Sequence, residues 1–210
     1  MSHTLLIINP GSTSTKVAIY EDQVPVVSSQ IDHDPEEIKS FASVSDQFDY
    51  RKNAVDSWLR EQGSYALSSV VARGGLLRPL RGGCYRVDAC MKEDLWNGVQ
   101  GEHASNLGGL IASALAEPLG IPAFIVDPVS VDEFNDVARL SGLDVIPRKS
   151  LLHALNIRST ARKAAADLGK QMEACRFIVA HLGGGFSIVP MENGKMIDAN
   201  NANEEGPFSP

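Results

Sequence analysis

The segment Asn9-Pro10-Gly11-Ser12-Thr13-Ser14-Thr15-Lys16 places four hydroxyls, a glycine and one cation between two apolar runs, residues 5–8 and 17–20. The order reads as strand, tight turn, strand. Hydroxyls, a lysine and crowded main-chain N–H groups are the donors that hold phosphate oxygens. Gly11 lets the backbone come close to such a ligand. The device returns near the other end: an apolar run at 176–181, the turn Leu182-Gly183-Gly184-Gly185, a second run at 186–189, then the hairpin signal Asn193-Gly194 before Met196-Ile197-Asp198. Two such units point to two lobes holding the phosphates of one nucleotide. Asn9, Gly11, Ser12, Thr13, Ser14 and Lys16 would serve in one, and His181, Gly183, Gly184 and Gly185 in the other. Neither turn is a P-loop, which needs Lys-Ser/Thr and a helix. Neither is a dinucleotide fingerprint, because strands follow them.

Other reactive side chains stand at expected strand ends and helix starts. Arg73 follows a buried run and precedes Gly74-Gly75. A guanidinium there suits bidentate contact with a carboxylate or phosphoryl group; a surface ion pair is the alternative. Asp127 ends the run 123–126, where carboxylates of α/β sheets commonly face a site; a loop cap before Pro128 is the alternative. His103 precedes a helix and, taken alone, reads as structural. His153 lies early in a helix beside Leu151-Leu152 and reads equally well as core. His3 and His33 have no such context and are expected to be exposed. Asp132, Glu133 and Asp136 are expected as helix-start or surface charges, and Glu204 and Glu205 as solvated loop charges. Asp198 is open between a turn cap and a contact to phosphate-bound water.

The elements that must position these groups follow from periodicity and punctuation. Strands are expected near 4–9, 15–20, 24–31, 67–72 and 123–126. Helices are expected within 35–62, at 90–99 and 106–119, and over about 150–172. Strands alternate with helices, so the class is α/β. A boundary is expected near 172–176, giving a first domain of 1–174 and the opening strands of a second at 175–210. Those strands have no helix to cover them and leave one apolar face bare, which reads as the N-terminal part of a longer enzyme. The chain has 210 residues and a net charge of −7, which argues against non-specific nucleic-acid binding. No apolar stretch is long enough to span a membrane. Three cysteines, Cys84, Cys90 and Cys175, have no zinc or disulfide spacing and read as reduced cytosolic thiols.

The chain resembles the acetokinase family, within the actin/hexokinase/Hsp70-like phosphotransferases, and its butyrate kinase branch in particular. The resemblance is carried in family order by Asn9–Lys16, Ala72-Arg73-Gly74-Gly75-Leu76-Leu77, Gly101-Glu102-His103-Ala104-Ser105-Asn106, Val126-Asp127-Pro128-Val129, His181-Leu182-Gly183-Gly184-Gly185 and Asp198-Ala199-Asn200-Asn201. Pro10 and the Arg73-Gly74-Gly75 segment depart from the acetate kinase pattern. The resemblance implies two ribonuclease-H-like domains and a reversible phosphoryl transfer between ATP and a short-chain carboxylate, with Mg²⁺. It implies that Arg73, His103, His153 and Asp127 are catalytic, that Asn9 and Asp127 serve the metal, and that the parent is a cytoplasmic homo-oligomer.

An acyl kinase needs no base, because its carboxylate is already ionised; it needs cations and N–H groups that bring two anions in line. Gly74-Gly75 beside Arg73 is expected to widen the acyl pocket for four-carbon or branched acids. By resemblance, a second active-site arginine and the adenosine loop lie beyond residue 210, so these residues alone are not expected to turn over normally. The alternatives are an acetate or propionate kinase, a non-catalytic truncated product or binding module, and an Hsp70-like or actin-like protein. The last gives no reason for Arg73, His103, His153 and His181 together.

Overall fold

A computed structural model describes residues 2–183 and 185–200. Gly184, Glu204 and Glu205 lie outside the described residues. Contacts divide the chain into two compact units, 1–77 with 84–126, and 78–83 with 127 onward.

In the first unit β1 (Thr4–Pro10), β2 (Ser14–Glu21) and β3 (Val24–Asp32) form an antiparallel meander. Then β4 (Ser69–Arg73) pairs parallel to β1, and β6 (Ala123–Val126) parallel to β4, with β5 (Cys84–Arg86) antiparallel at the edge. The order is β3-β2-β1-β4-β6-β5. Strand alternation and register put Leu6, Ile8, Val17, Ile19, Val70, Ala72, Ala123 and Ile125 on one face, and all are buried. Two helices, α2 (Phe48–Glu61) and α4 (Asn106–Ala116), pack on this sheet. The opposite face carries Ile7, Asn9, Lys16, Ala18 and Arg73 and is only partly covered.

The helix expected within 35–62 is interrupted. The short α1 (Pro35–Ser40) begins with Asp34 accepting the Glu36 N–H at 2.9 Å and ends at extended Phe41. Ser43 and Asp46 then exchange bonds, Asp46 N to Ser43 Oγ at 3.2 Å and Ser43 N to Asp46 Oδ2 at 3.0 Å. This reciprocal pattern starts a helix anew. The expected helix at 90–99 is α3 (Ala89–Asn97), capped by Asp88 and stopped by Gly98 at φ +57°. Strand β5 was not expected; three residues are too few for a periodic signal.

The second unit holds α5 (Ala154–Asp167) and the meander β7 (Arg176–Leu182), β8 (Phe186–Glu192), β9 (Lys195–Met196). Asn193 and Gly194 both have positive φ, +52° and +73°, as a two-residue hairpin loop of this kind requires. Ala154, Ile157, Ala161 and Ala165 of α5 form one core with Val179, Val189, Met191 and Met196. One expectation changes here: a helix does cover the meander, since the buried stripe of α5 packs on β7. The compact units divide at 126/127. The other meander face does stay bare: Ile178 is 79% and Leu182 76% exposed. Among the described residues no helix is long and apolar enough to cross a membrane.

Candidate functional site

Each unit carries some of the residues singled out from the sequence. In the first, the turn between β1 and β2 is closed by Gly11 N donating to Ser14 O at 2.7 Å. Ser12, Thr13 and Lys16 are exposed, whereas Thr15 is fully buried. Asn9 pairs in register with Lys16 across the hairpin. The parallel pairing of Ile8 with Ala72 brings Asn9 and Arg73 to the same end of neighbouring strands. Asn9, Lys16 and Arg73 therefore share the half-open face at the carboxyl ends of β1 and β4, where ligands of α/β sheets bind.

Arg73 is partly buried, and burial pulls its guanidinium below the ordinary arginine value. Among the described residues no carboxylate pairs with it. His103 lies within its field: burial first, and the Arg73 charge second, hold the imidazole below its usual value. Nδ1 of His103 accepts from Ser105 N at 3.1 Å and meets Ser105 Oγ at 2.7 Å. That fixes the neutral tautomer with hydrogen on Nε2, a donor suited to an anion. A titration followed by NMR should place the His103 midpoint below 6.5. In Arg73→Met it should rise part of the way back, because burial, the larger cause, remains; an unchanged midpoint would separate the two residues.

The expectation for Gly75 is corrected. A Cβ there would lie 2.6 Å from Asn106 Cα and 2.8 Å from Asn106 N. Asn106 Oδ1 accepts the Leu76 N–H at 2.8 Å, and its Nδ2 donates to Gly101 O at 3.0 Å. Glycine at 75 admits the first turn of α4 and does not open an acyl pocket. Gly75→Val is accordingly expected to destabilise the first unit by about 2–3 kcal/mol, read by urea unfolding. A variant of wild-type stability would restore the pocket reading.

His33 is also corrected. It is 4% exposed, and its Nε2 meets Thr15 Oγ1 at 2.8 Å. A histidine after a strand gives no sequence sign of burial; the docking of α2 supplies it. That helix also inserts Arg51, which the sequence reading passed over. Arg51 is fully buried and donates to Gly11 O at 2.8 Å and Ser12 O at 3.0 Å. Its signal was the stripe Arg51, Val55, Trp58, an arginine where helical spacing asks for an apolar residue.

In the second unit Asp127 is 3% exposed and sits at φ +38°, an uncommon conformation for a side-chain-bearing residue. Its Oδ1 accepts the Gly83 N–H at 2.8 Å and lies 3.2 Å from Arg158 Nε. Burial pushes its carboxyl above the usual range, against the pull of Arg158 and the Gly83 N–H. Arg158 also donates to both oxygens of Glu133 at 3.0 Å. Glu133 is thus not the surface charge expected: it accepts from Arg158, Gly82 N and Met196 N. Asp198 caps the Ala199 N–H at 2.8 Å and pairs with Arg148 at 2.9 Å.

His153 and His181, 28 residues apart in sequence, stack in parallel with ring centroids 3.8 Å apart and planes at 7°. His153 precedes α5, and its Nδ1 lies 3.0 Å from Ser187 Oγ, a fully buried hydroxyl on β8. His181 Nδ1 meets Asn156 Nδ2 at 2.7 Å. The amide nitrogen has only hydrogen to offer, so Nδ1 accepts and His181 carries its hydrogen on Nε2. A side chain at Gly183 would lie 3.5 Å from that Nε2. Ser187 and Asn156 carried no motif signal; only the pairing of β7 with β8 and the docking of α5 place them.

No family model matches the chain. Over 211 residues, 99% of the chain, it is 49% identical to Butyrate kinase 1 of Clostridium acetobutylicum. It is 52% identical over 208 residues to a protein named probable butyrate kinase 2 in Caldanaerobacter subterraneus subsp. tengcongensis. The chain is a sequence relative of the butyrate kinases. It spans 59% of the length of each of these two relatives. Among solved structures it is similar to an acetate kinase from Porphyromonas gingivalis, with a TM-score of 0.69 at 18% identity, covering 95% of this chain and 57% of that one. A propionate kinase from Francisella tularensis gives 0.66 at 17% identity, with the same two coverages, 95% and 57%. Those identities speak to fold alone. With the β3-β2-β1-β4-β6 order they bear out the ribonuclease-H-like, actin-like α/β class that the butyrate kinase resemblance implied.

Proposed function

We propose that this chain supplies part of the active site of an ATP-dependent carboxylate kinase, forming an acyl phosphate from butyrate or a related short-chain fatty acid in a reversible reaction. The observation that carries the reading is about 50% identity along the whole chain to proteins named butyrate kinases. The site chemistry agrees with it: cations and N–H donors are offered at Arg73, Lys16 and the β1–β2 turn.

In this reading Arg73 receives the substrate carboxylate or the transferring phosphoryl group, as a partly buried guanidinium with no carboxylate partner among the described residues can. His103 donates from Nε2 beside it. The turn residues Gly11, Ser12, Thr13 and Ser14, with Asn9 and Lys16, receive phosphate oxygens of ATP. His181, with Gly183, Gly184 and Gly185, does so in the second unit, and His153 donates to the transferring group. Among the described residues no three metal-binding side chains are gathered. Mg²⁺ is compatible with that, since it commonly keeps its waters and uses one or two protein oxygens plus substrate phosphates. In the first unit Asn9 offers an amide oxygen to such waters; in the second the resemblance assigns a like role to Asp127, whose Oδ1 already takes the Gly83 N–H and lies near Arg158. Bound Mg²⁺ would offset phosphate charge. The parent enzyme is read as cytoplasmic and homo-oligomeric.

The test is hydroxamate-trapped acyl phosphate from ATP, Mg²⁺ and butyrate, comparing this chain with a version extended to its gene's stop codon. Activity in the extended form supports the reading. Two folded but inactive forms would overturn it and shift weight to a binding role. Parallel assays with acetate and propionate set the acyl preference.

A further inference from the structure

We propose that Arg51 is the positioning residue of the β1–β2 turn: from beneath, it turns the Ser12 and Thr13 N–H groups outward and places a positive charge behind them, making the turn an anion seat. The proposal rests on the reading of this turn as a phosphate-binding element and deepens it.

Three successive carbonyls of the turn are held inward by buried donors. Arg51 Nη1 takes Gly11 O at 2.8 Å, Arg51 Nη2 takes Ser12 O at 3.0 Å, and the His33 main-chain N–H takes Thr13 O at 3.0 Å. In a trans peptide the carbonyl of one residue and the N–H of the next point in opposite directions. Drawing the Gly11 and Ser12 carbonyls down to the guanidinium therefore aims the Ser12 and Thr13 N–H groups to the far side. Both of these residues are exposed, and neither N–H meets an acceptor among the described residues. The guanidinium is itself fixed. Its Nε donates to Gln47 Oε1 at 3.0 Å, one helical turn earlier, and Nη1 also reaches Thr15 Oγ1 at 3.4 Å.

Charge supplies the second argument. Arg51 is fully buried, yet among the described residues no carboxylate pairs with it; its acceptors are neutral oxygens. A buried ion without a counter-charge is costly. A core-filling role would be met at lower cost by leucine or methionine in the stripe shared with Val55 and Trp58. An anion seated on the outer face of the turn lies one peptide layer from the guanidinium and supplies the missing counter-charge. Lys16 then acts as the exposed partner of a buried cation.

The test uses the whole chain, ¹⁵N-labelled, titrated with inorganic tripolyphosphate. In the wild type, the Ser12 and Thr13 amides and the Arg51 Nε–H are expected to shift along one saturation curve. Arg51→Met should weaken binding about tenfold or more, by losing both charge and carbonyl tethers. Arg51→Lys keeps the charge but cannot span the two carbonyls and Gln47 together, and should recover only part of the affinity. Gln47→Leu, a milder change, should weaken binding several-fold. A purely structural arginine would lower the unfolding midpoint of these variants while leaving affinity of the folded protein unchanged; that outcome overturns the proposal and spares the turn reading. An unmoved Arg51 Nε–H in a wild type whose turn amides do shift has the same meaning. If tripolyphosphate shifts neither turn amide in the wild type, the phosphate reading of the turn fails, and this proposal with it.

Discussion

Glu133→Ala is expected to destabilise the second unit by about 3–5 kcal/mol, measured by urea unfolding at neutral pH. Glu133 is one of two acids holding a buried arginine. Its side chain is 10% exposed and that of Arg158 9%. Its two oxygens take Arg158 Nη2, Gly82 N and Met196 N, so one carboxylate joins residues 78–83, α5 and β9. Alanine would leave those donors without their acceptor in a place water enters poorly, and an orphaned buried donor costs more than a satisfied pair contributes. Arg158 would retain Asp127 and Gly194 O, which keeps the loss below that of an isolated buried charge. Glu133→Gln retains an acceptor oxygen and should lose less. A loss under about 1 kcal/mol for alanine, the range of exposed pairs, would show that the cluster is solvated and contributes little.

Acid should weaken the first unit through His33. Its imidazole is held down to about 4, by burial first and then by the Arg51 charge; Asp32 pulls the other way, and the Tyr50 ring packs 5.3 Å away. Thr15 Oγ1 receives Arg51 Nη1 and can then give its own proton only to an unprotonated His33 Nε2. The sign follows from which state binds the proton. Below pH 6.5 the unfolded chain takes it up, whereas the folded chain does so only near pH 4. Stability from neutral His33 is thus complete above about pH 6.5 and is lost as pH falls toward 4, by about 3 kcal/mol in all. His33→Gln, which cannot titrate, should lack this component. Unfolding free energies of the two proteins should therefore converge as pH drops; parallel curves would mean that His33 already takes up its proton in the fold near the ordinary value.

Both effects arise where side chains buried by tertiary contact replaced a bland expectation from sequence. Glu133 and His33 have neighbours of no special type. What marks them is Arg158 and Arg51, charged residues on helices whose stripes otherwise ask for apolar side chains. A reading of those stripes that treated each arginine as a question would have found both. Gly75 shows the reverse error. Glycine beside a reactive arginine invites a pocket, but the space its side chain would take is filled by Asn106.

The sequence alone determined the local grammar. Turn chemistry at Gly11–Ser14 and Asn193-Gly194, strand alternation, and the α/β order are legible because each depends on residues within a few positions of one another. The glycine turns, Arg73 and His181 could be singled out for the same reason, their segments being short and specific in type, whereas His103 and His153 were singled out only by the resemblance. Tertiary structure alone decided which groups meet. Asn9 stands level with Arg73 only because β1 pairs parallel with β4. His153 lies on His181 only because α5 packs on β7. Arg51 sits beneath the turn only because α2 docks on the sheet. Strand order, helix docking and burial are non-local, and a carboxylate or imidazole has the same letter whether water or an arginine surrounds it. Its chemistry is set by that surrounding, which exists only once distant segments have packed.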